Sequence, residues 1–180
     1  MERSGIASPR KPELSFMFLG NYLLTLDEKG RLAVPRKYRP WLCPEGSSPK
    51  PRVIATKNPN AHCLVVYPLK EWESLADDMA QHPGLKPGAG REAAREAEEL
   101  ERELFGKAED CTIDSQGRVL VPPHLRRDAD LKRHVRVIGR SRVFELWDER
   151  TWSRHRTADG EGEEGAVDRE VSDSAVSKAH

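Results

Sequence analysis

The chain has 180 residues, 37% hydrophobic and 33% charged, and its thirty basic and thirty acidic side chains give a formal net charge of zero. That suits one ordinary soluble domain or two very small ones. It contains no run of about 18 apolar residues and no apolar block near the N-terminus, which argues against a membrane span and a signal peptide, so a cytoplasmic location is expected.

The zero charge hides a partition. Residues 27–57 carry eight Lys/Arg against three Asp/Glu, and residues 114–142 repeat that balance. Residues 70–110 carry six against twelve, and the tail from 157 carries two against seven. Two basic blocks separated by an acidic one can meet a polyanion locally. Cys43, Cys63 and Cys111 are odd in number, widely spaced and set among apolar neighbours, and are expected to be core thiols. No CxxC, HExxH, GxxxxGK[ST] or GxSxG motif occurs, so no enzyme, metal or cofactor is expected.

In chain order, residues 1–16 read as a disordered leader. A strand ending at Thr25-Leu26 is followed by a turn in which Asp27 accepts backbone N–H groups and Gly30 supplies positive φ. A second strand, Arg31–Val34, would complete a hairpin, and Pro35 would open a short helix over 36–41. Strands over 52–56 and 63–67 form another hairpin, and Pro68 to Trp72 starts a helix that folds an aromatic side chain back on the sheet. Residues 91–105 lack Gly and Pro and place Glu and Arg at i,i+3 and i,i+4, predicting an exposed connecting helix.

The pattern then recurs. A strand ends at Thr112-Ile113, Asp114 and Gly117 make the turn, and a strand covers 118–121. A short helix follows over 123–128, then strands over 135–138 and 143–147 and a helix start over 148–152. An offset of 87 aligns Thr-Leu-Asp-Glu-Lys-Gly-Arg-Leu-Ala-Val-Pro35 with Thr-Ile-Asp-Ser-Gln-Gly-Arg-Val-Leu-Val-Pro122, six of eleven positions being identical. An offset of 80 pairs the segment ending at Trp72 with the one ending at Trp152. Two copies in one chain are what fusion of a symmetric dimer produces. The expected units are 17–74 and 105–154, joined by a linker over 75–104 and followed by a disordered acidic tail over 155–180.

Met17-Phe-Leu-Gly-Asn-Tyr22, Leu26-Asp-Glu-Lys-Gly-Arg-Leu-Ala-Val-Pro-Arg-Lys-Tyr-Arg39, Tyr67-Pro-Leu-Lys-Glu-Trp72, the segment 111–126 and Phe144-Glu-Leu-Trp-Asp-Glu-Arg-Thr-Trp152 together resemble the bacterial MraZ family. The resemblance implies a mainly β fold with short helices, two tandem swapped-hairpin units of the SpoVT-AbrB type forming a pseudo-symmetric double barrel. It also implies a regulator of the division and cell-wall gene cluster that binds repeated boxes in its own promoter as a ring-shaped homo-oligomer, associated with the nucleoid. The family usually begins at the Met-Phe of Met17-Phe18, so the 16-residue leader departs from the family's pattern.

Asp-x-x-Gly-Arg alone describes a tight turn in which the arginine returns to its aspartate. Duplication within basic flanks adds a second role compatible with the first. Asp27, Gly30, Asp114 and Gly117 are assigned to the turns. Lys29 and Arg31 are assigned to double-stranded DNA, since an arginine fork suits a phosphate or a guanine edge. Arg36, Lys37 and Arg39 join them as one basic set, and Arg118 is the remaining cation of the second turn, where Gln116 replaces Lys29. His62, Cys63 and Cys43 lack a fourth ligand for zinc, and Glu71 and Glu73 point to opposite sides of a helix, so they are expected to be exposed and not to form a paired acid and base. Trp72 and Trp152 are expected as core anchors. An antitoxin of the same superfamily, holding a toxin through the acidic tail, is the alternative, although such antitoxins resemble a single unit.

Overall fold

A computed structural model describes residues 17–42 and 51–158. The leader, Cys43 and the tail beyond Ala158 lie outside the described residues.

The first copy supplies β1 (Asn21–Thr25), β2 (Arg31–Ala33), a 3-10 turn over Arg36–Tyr38, α1 (Arg39–Leu42), β3 (Arg52–Lys57), β4 (Leu64–Pro68) and α2 (Leu69–Ala80). After α3 (Arg91–Phe105), the second copy supplies β5 (Glu109–Thr112), β6 (Arg118–Leu120), α4 (Pro123–Asp128), β7 (His134–Arg140), β8 (Val143–Asp148) and α5 (Glu149–Ala158). Antiparallel strands and short helices match the expected fold class.

The order of the six-stranded sheet is β1-β7-β8-β4-β3-β5, and β2 pairs with β6 in a separate ribbon. Exchanging each strand with its counterpart in the other copy reverses that order and leaves it unchanged, so a pseudo-twofold axis passes between β4 and β8. There Val65 lies opposite Glu145, with Leu64 opposite Leu146 and Val66 opposite Phe144.

This corrects one expectation. The strands flanking each turn do not form a hairpin with each other: β1 pairs with β7 and β2 with β6. The first turn is closed by backbone bonds from Asp27 N–H to the Arg31 carbonyl, 3.0 Å, and from Gly30 N–H to the Asp27 carbonyl, 2.8 Å, and the pairing of β1 with β2 goes no further. Beyond it β2 needs an apolar partner for Leu32, which is buried, and finds Val119 of the other copy directly opposite. The β3–β4 and β7–β8 hairpins form as expected.

The core is built from both copies. Phe18 and Tyr38 of the first meet Phe144 of the second, with ring centroids 4.8 to 5.3 Å apart, among Leu32, Val53, Val119, Leu125 and Val135. Cys63 and Cys111 are buried free thiols, and burial pushes them up to about 12 and about 11. Trp72 packs on Tyr67 and Phe105, and Trp152 on Trp147, so both half-buried indoles anchor helices to the sheet.

Two further expectations need adjustment. The helix over 91–105 forms, ending before Gly106, and Glu98 pairs with Arg102 at 2.8 Å on its outer face. It is nevertheless docked, since Ala97 and Leu104 are buried and the Leu104 carbonyl accepts the buried Thr56 hydroxyl at 2.7 Å. Small and apolar residues at i,i+7 gave that stripe, which the abundance of charge obscured. Glu71 is not merely exposed, because its carboxylate takes Nη1 of Arg142 at 3.1 Å.

Candidate nucleic-acid interface

Each turn is locked by its aspartate. Asp27 Oδ1 accepts the backbone N–H groups of Lys29 and Arg31 at 3.0 and 2.9 Å, and Oδ2 accepts Nε of Arg31 at 2.6 Å. Asp114 repeats this toward Gln116, Arg118 and Arg118 Nε, all at 2.9 Å. Gly30 and Gly117 adopt φ of +80° and +74°, which a side chain would resist. Both arginines therefore return to their aspartates through Nε. Arg31 remains 30% exposed beside the exposed Lys29.

Both carboxylates are held below their ordinary value of 3.8, chiefly by the backbone N–H of Arg31 or Arg118, with partial desolvation opposing. A depressed folded pKa stabilises the fold fully above the unfolded value, and that contribution is lost as pH falls through the folded value. Asp27→Asn and Asp114→Asn together should therefore flatten the acid limb of a melting-temperature profile and lower the melting temperature at neutral pH. Parallel profiles for wild type and double variant would contradict the assignment.

Strand exchange decides which cations surround each turn. Val34 N–H bonds the Gly117 carbonyl and Val121 N–H bonds the Gly30 carbonyl, both at 2.9 Å. The second turn thus sits beside the first copy's Pro35-Arg36-Lys37, and the first turn beside the second copy's α4. The guanidinium of Arg39 lies over Gly117, where a Cβ would come 2.5 Å from its Cζ. Arg126 covers Gly30 in the same way, at 2.7 Å. Arg39 also donates Nε to the Val34 carbonyl at 3.1 Å.

The basic set expected around the first turn is accordingly divided. Lys29 and Arg31 belong to one tip, whereas Arg36, Lys37 and Arg39 stand at the other with Arg118. Arg126, Lys132 and Arg133 adjoin the first tip and were not foreseen there. The signal was available, because a swapped hairpin gives each turn the other copy's basic segment. Among the described residues, Lys29, Lys37, Arg127 and Arg133 enter no ion pair, and no group of three His, Cys, Asp or Glu residues could hold a metal ion.

A pseudo-twofold exchange of strands around two aspartate-locked Gly-Arg turns defines a tandem swapped-hairpin protein. The family model for the MraZ protein, described as antitoxin-like, matches residues 17–90 and 104–168, and the chain belongs to that family. It is 42% identical over 155 residues to the Halorhodospira halophila protein named transcriptional regulator MraZ, covering 86% of this chain and 94% of that one. A protein of that name from Pectobacterium atrosepticum is 40% identical over 136 residues, covering 76% and 82%. Another from Salmonella typhi is 35% identical over 152 residues, covering 84% and 93%. No helix among the described residues is long and apolar enough to cross a membrane.

Proposed function

We propose that this chain is a transcriptional regulator that binds double-stranded DNA in a sequence-specific way, at repeated short boxes upstream of its own division and cell-wall operon. The observation that carries this reading is the first turn, where the Asp27 carboxylate fixes the backbone and holds Nε of Arg31, so that a part-exposed guanidinium and the exposed Lys29 lie at one end of the β2–β6 ribbon. The family relatives named as transcriptional regulators support it. Residues 17–74 and 105–154 are the two repeated units, and the chain works in the cytoplasm at the nucleoid, by positioning rather than catalysis. It needs no cofactor, metal or small-molecule substrate.

Few cations per protomer suffice when several protomers of a ring-shaped homo-oligomer each engage one box, because tethering converts weak encounters into avidity. Footprinting on the upstream region of its own gene tests the reading, and protection of repeated boxes is expected. The slope of log K against log salt is about −0.9 per phosphate neutralised, so it should steepen with box number. Moving one box by about half a helical turn should weaken binding nearly as much as deleting it. A shallow slope indifferent to box number and phasing would exclude the ring mechanism.

A further inference from the structure

The two tips look equivalent until their backbone supports are compared. Leu26 N–H bonds the Arg133 carbonyl at 2.9 Å, and the matching bond at the second tip runs from Ile113 N–H to the Pro51 carbonyl, also 2.9 Å. Arg133 and Pro51 therefore occupy equivalent places. The first tip receives an exposed guanidinium where the second receives a ring without charge.

Several features hold the Arg133 backbone. Asp130 adopts φ of +50°, and Lys132 N–H donates to the buried Asp148 at 3.1 Å. β7 then begins with His134 opposite Thr25. Lys132 Nζ is tied to Asp130 at 2.5 Å, whereas Arg133 enters no ion pair among the described residues. A groove beside the tip is lined by Thr25, Glu28, Arg126, Leu131, Lys132 and Arg133. Nε of Arg126 is buried there without a hydrogen-bond partner, on a side chain whose guanidinium covers Gly30. Asp27 in the same groove is already engaged by Arg31, which leaves Glu28 as the opposing charge.

We infer that Arg133, with Arg126 behind it, holds a backbone phosphate of the duplex whose bases face Lys29 and Arg31, so that the first tip is a composite site built from both copies and the second tip lacks this phosphate contact. The inference rests on the DNA-binding reading and assigns phosphate anchoring to one copy and base contact to the other. A phosphate contact adds affinity without sequence information, whereas a base contact adds discrimination.

The test uses the full chain with Arg133→Gln, Arg133→Lys and Arg31→Ala, titrated against a box-containing duplex and a scrambled duplex across a salt series. Arg133→Gln should weaken both duplexes by the same factor and make the log–log salt slope shallower by about 0.9 per engaged protomer, and Arg133→Lys should restore the slope. Its melting temperature should not move, because the hydrogen bond to Leu26 uses the backbone. Inorganic phosphate should not compete at concentrations that leave ionic strength unchanged, since a single ion lacks the neighbouring tip. Unchanged affinity and slope in Arg133→Gln, with Arg31→Ala still impaired, would overturn the inference and leave the DNA-binding reading standing. Failure of wild type to bind either duplex would overturn both.

Discussion

Arg31→Ala should lose specific DNA binding by about 1–3 kcal/mol per engaged tip, between roughly 5- and 150-fold, the range for one good arginine–base contact. Asp27 keeps its two backbone donors in that variant, so the turn should persist. If several protomers of a ring engage one promoter, as proposed, the loss on a multi-box promoter should exceed the loss on a single box. Arg118→Ala should cost less, for its turn tip carries Gln116 in place of Lys29 and its neighbouring support is Pro51. A larger loss from Arg118→Ala, with Arg31→Ala binding normally, would reverse the roles of the tips. Circular dichroism and gel-shift titration on the same samples separate folding from binding.

Phe144→Ala should be the most destabilising single change, at about 3–5 kcal/mol, because it removes a fully buried ring. Phe144 is also where the copies meet: its ring touches Phe18 and Tyr38 of the first copy, and its backbone pairs with Val66 across the pseudo-axis. Each copy's hairpin, β3–β4 or β7–β8, is flanked on both sides by strands of the other copy, so neither copy can unfold while the other keeps its partners. Thermal or urea melting should therefore show a single transition in wild type and variant, shifted to lower temperature or denaturant in the variant. Two resolved transitions would show that the copies fold independently.

The local elements were legible because their signals are local. Gly30 and Gly117 mark positive φ, Pro35 and Pro122 end strands, and alternating Val, Leu and aromatic residues mark the two hairpins that form. The repeat was legible as identity at a fixed offset. Pairing was carried only by the resemblance to a swapped-hairpin family and not by the local residues, because Leu32 and Val119 satisfy each other across 87 residues, and nothing near either records the partner. The same gap affected the site: Lys29 and Arg31 were identifiable from their turn, but Arg126 and Arg133 come to them only through the crossing strands. Arg36, Lys37 and Arg39 follow that turn in sequence and are delivered to the opposite tip. The docking of α3 was obscured for a different reason, since two buried side chains are enough to fix a helix whose remaining surface is charged.

Strand exchange within one chain also bears on the grammar of the DNA it would read. An exchange between two identical chains makes both heads the same, and a palindrome is the natural match for such a pair. Here Lys29 faces Gln116 across the pseudo-axis, and Arg133 faces Pro51, so the heads differ in charge and in reach. Such a reader has a front and a back. Its boxes would each need a direction, all pointing the same way along the promoter, and inverting a single box without moving its centre would be read as a different word.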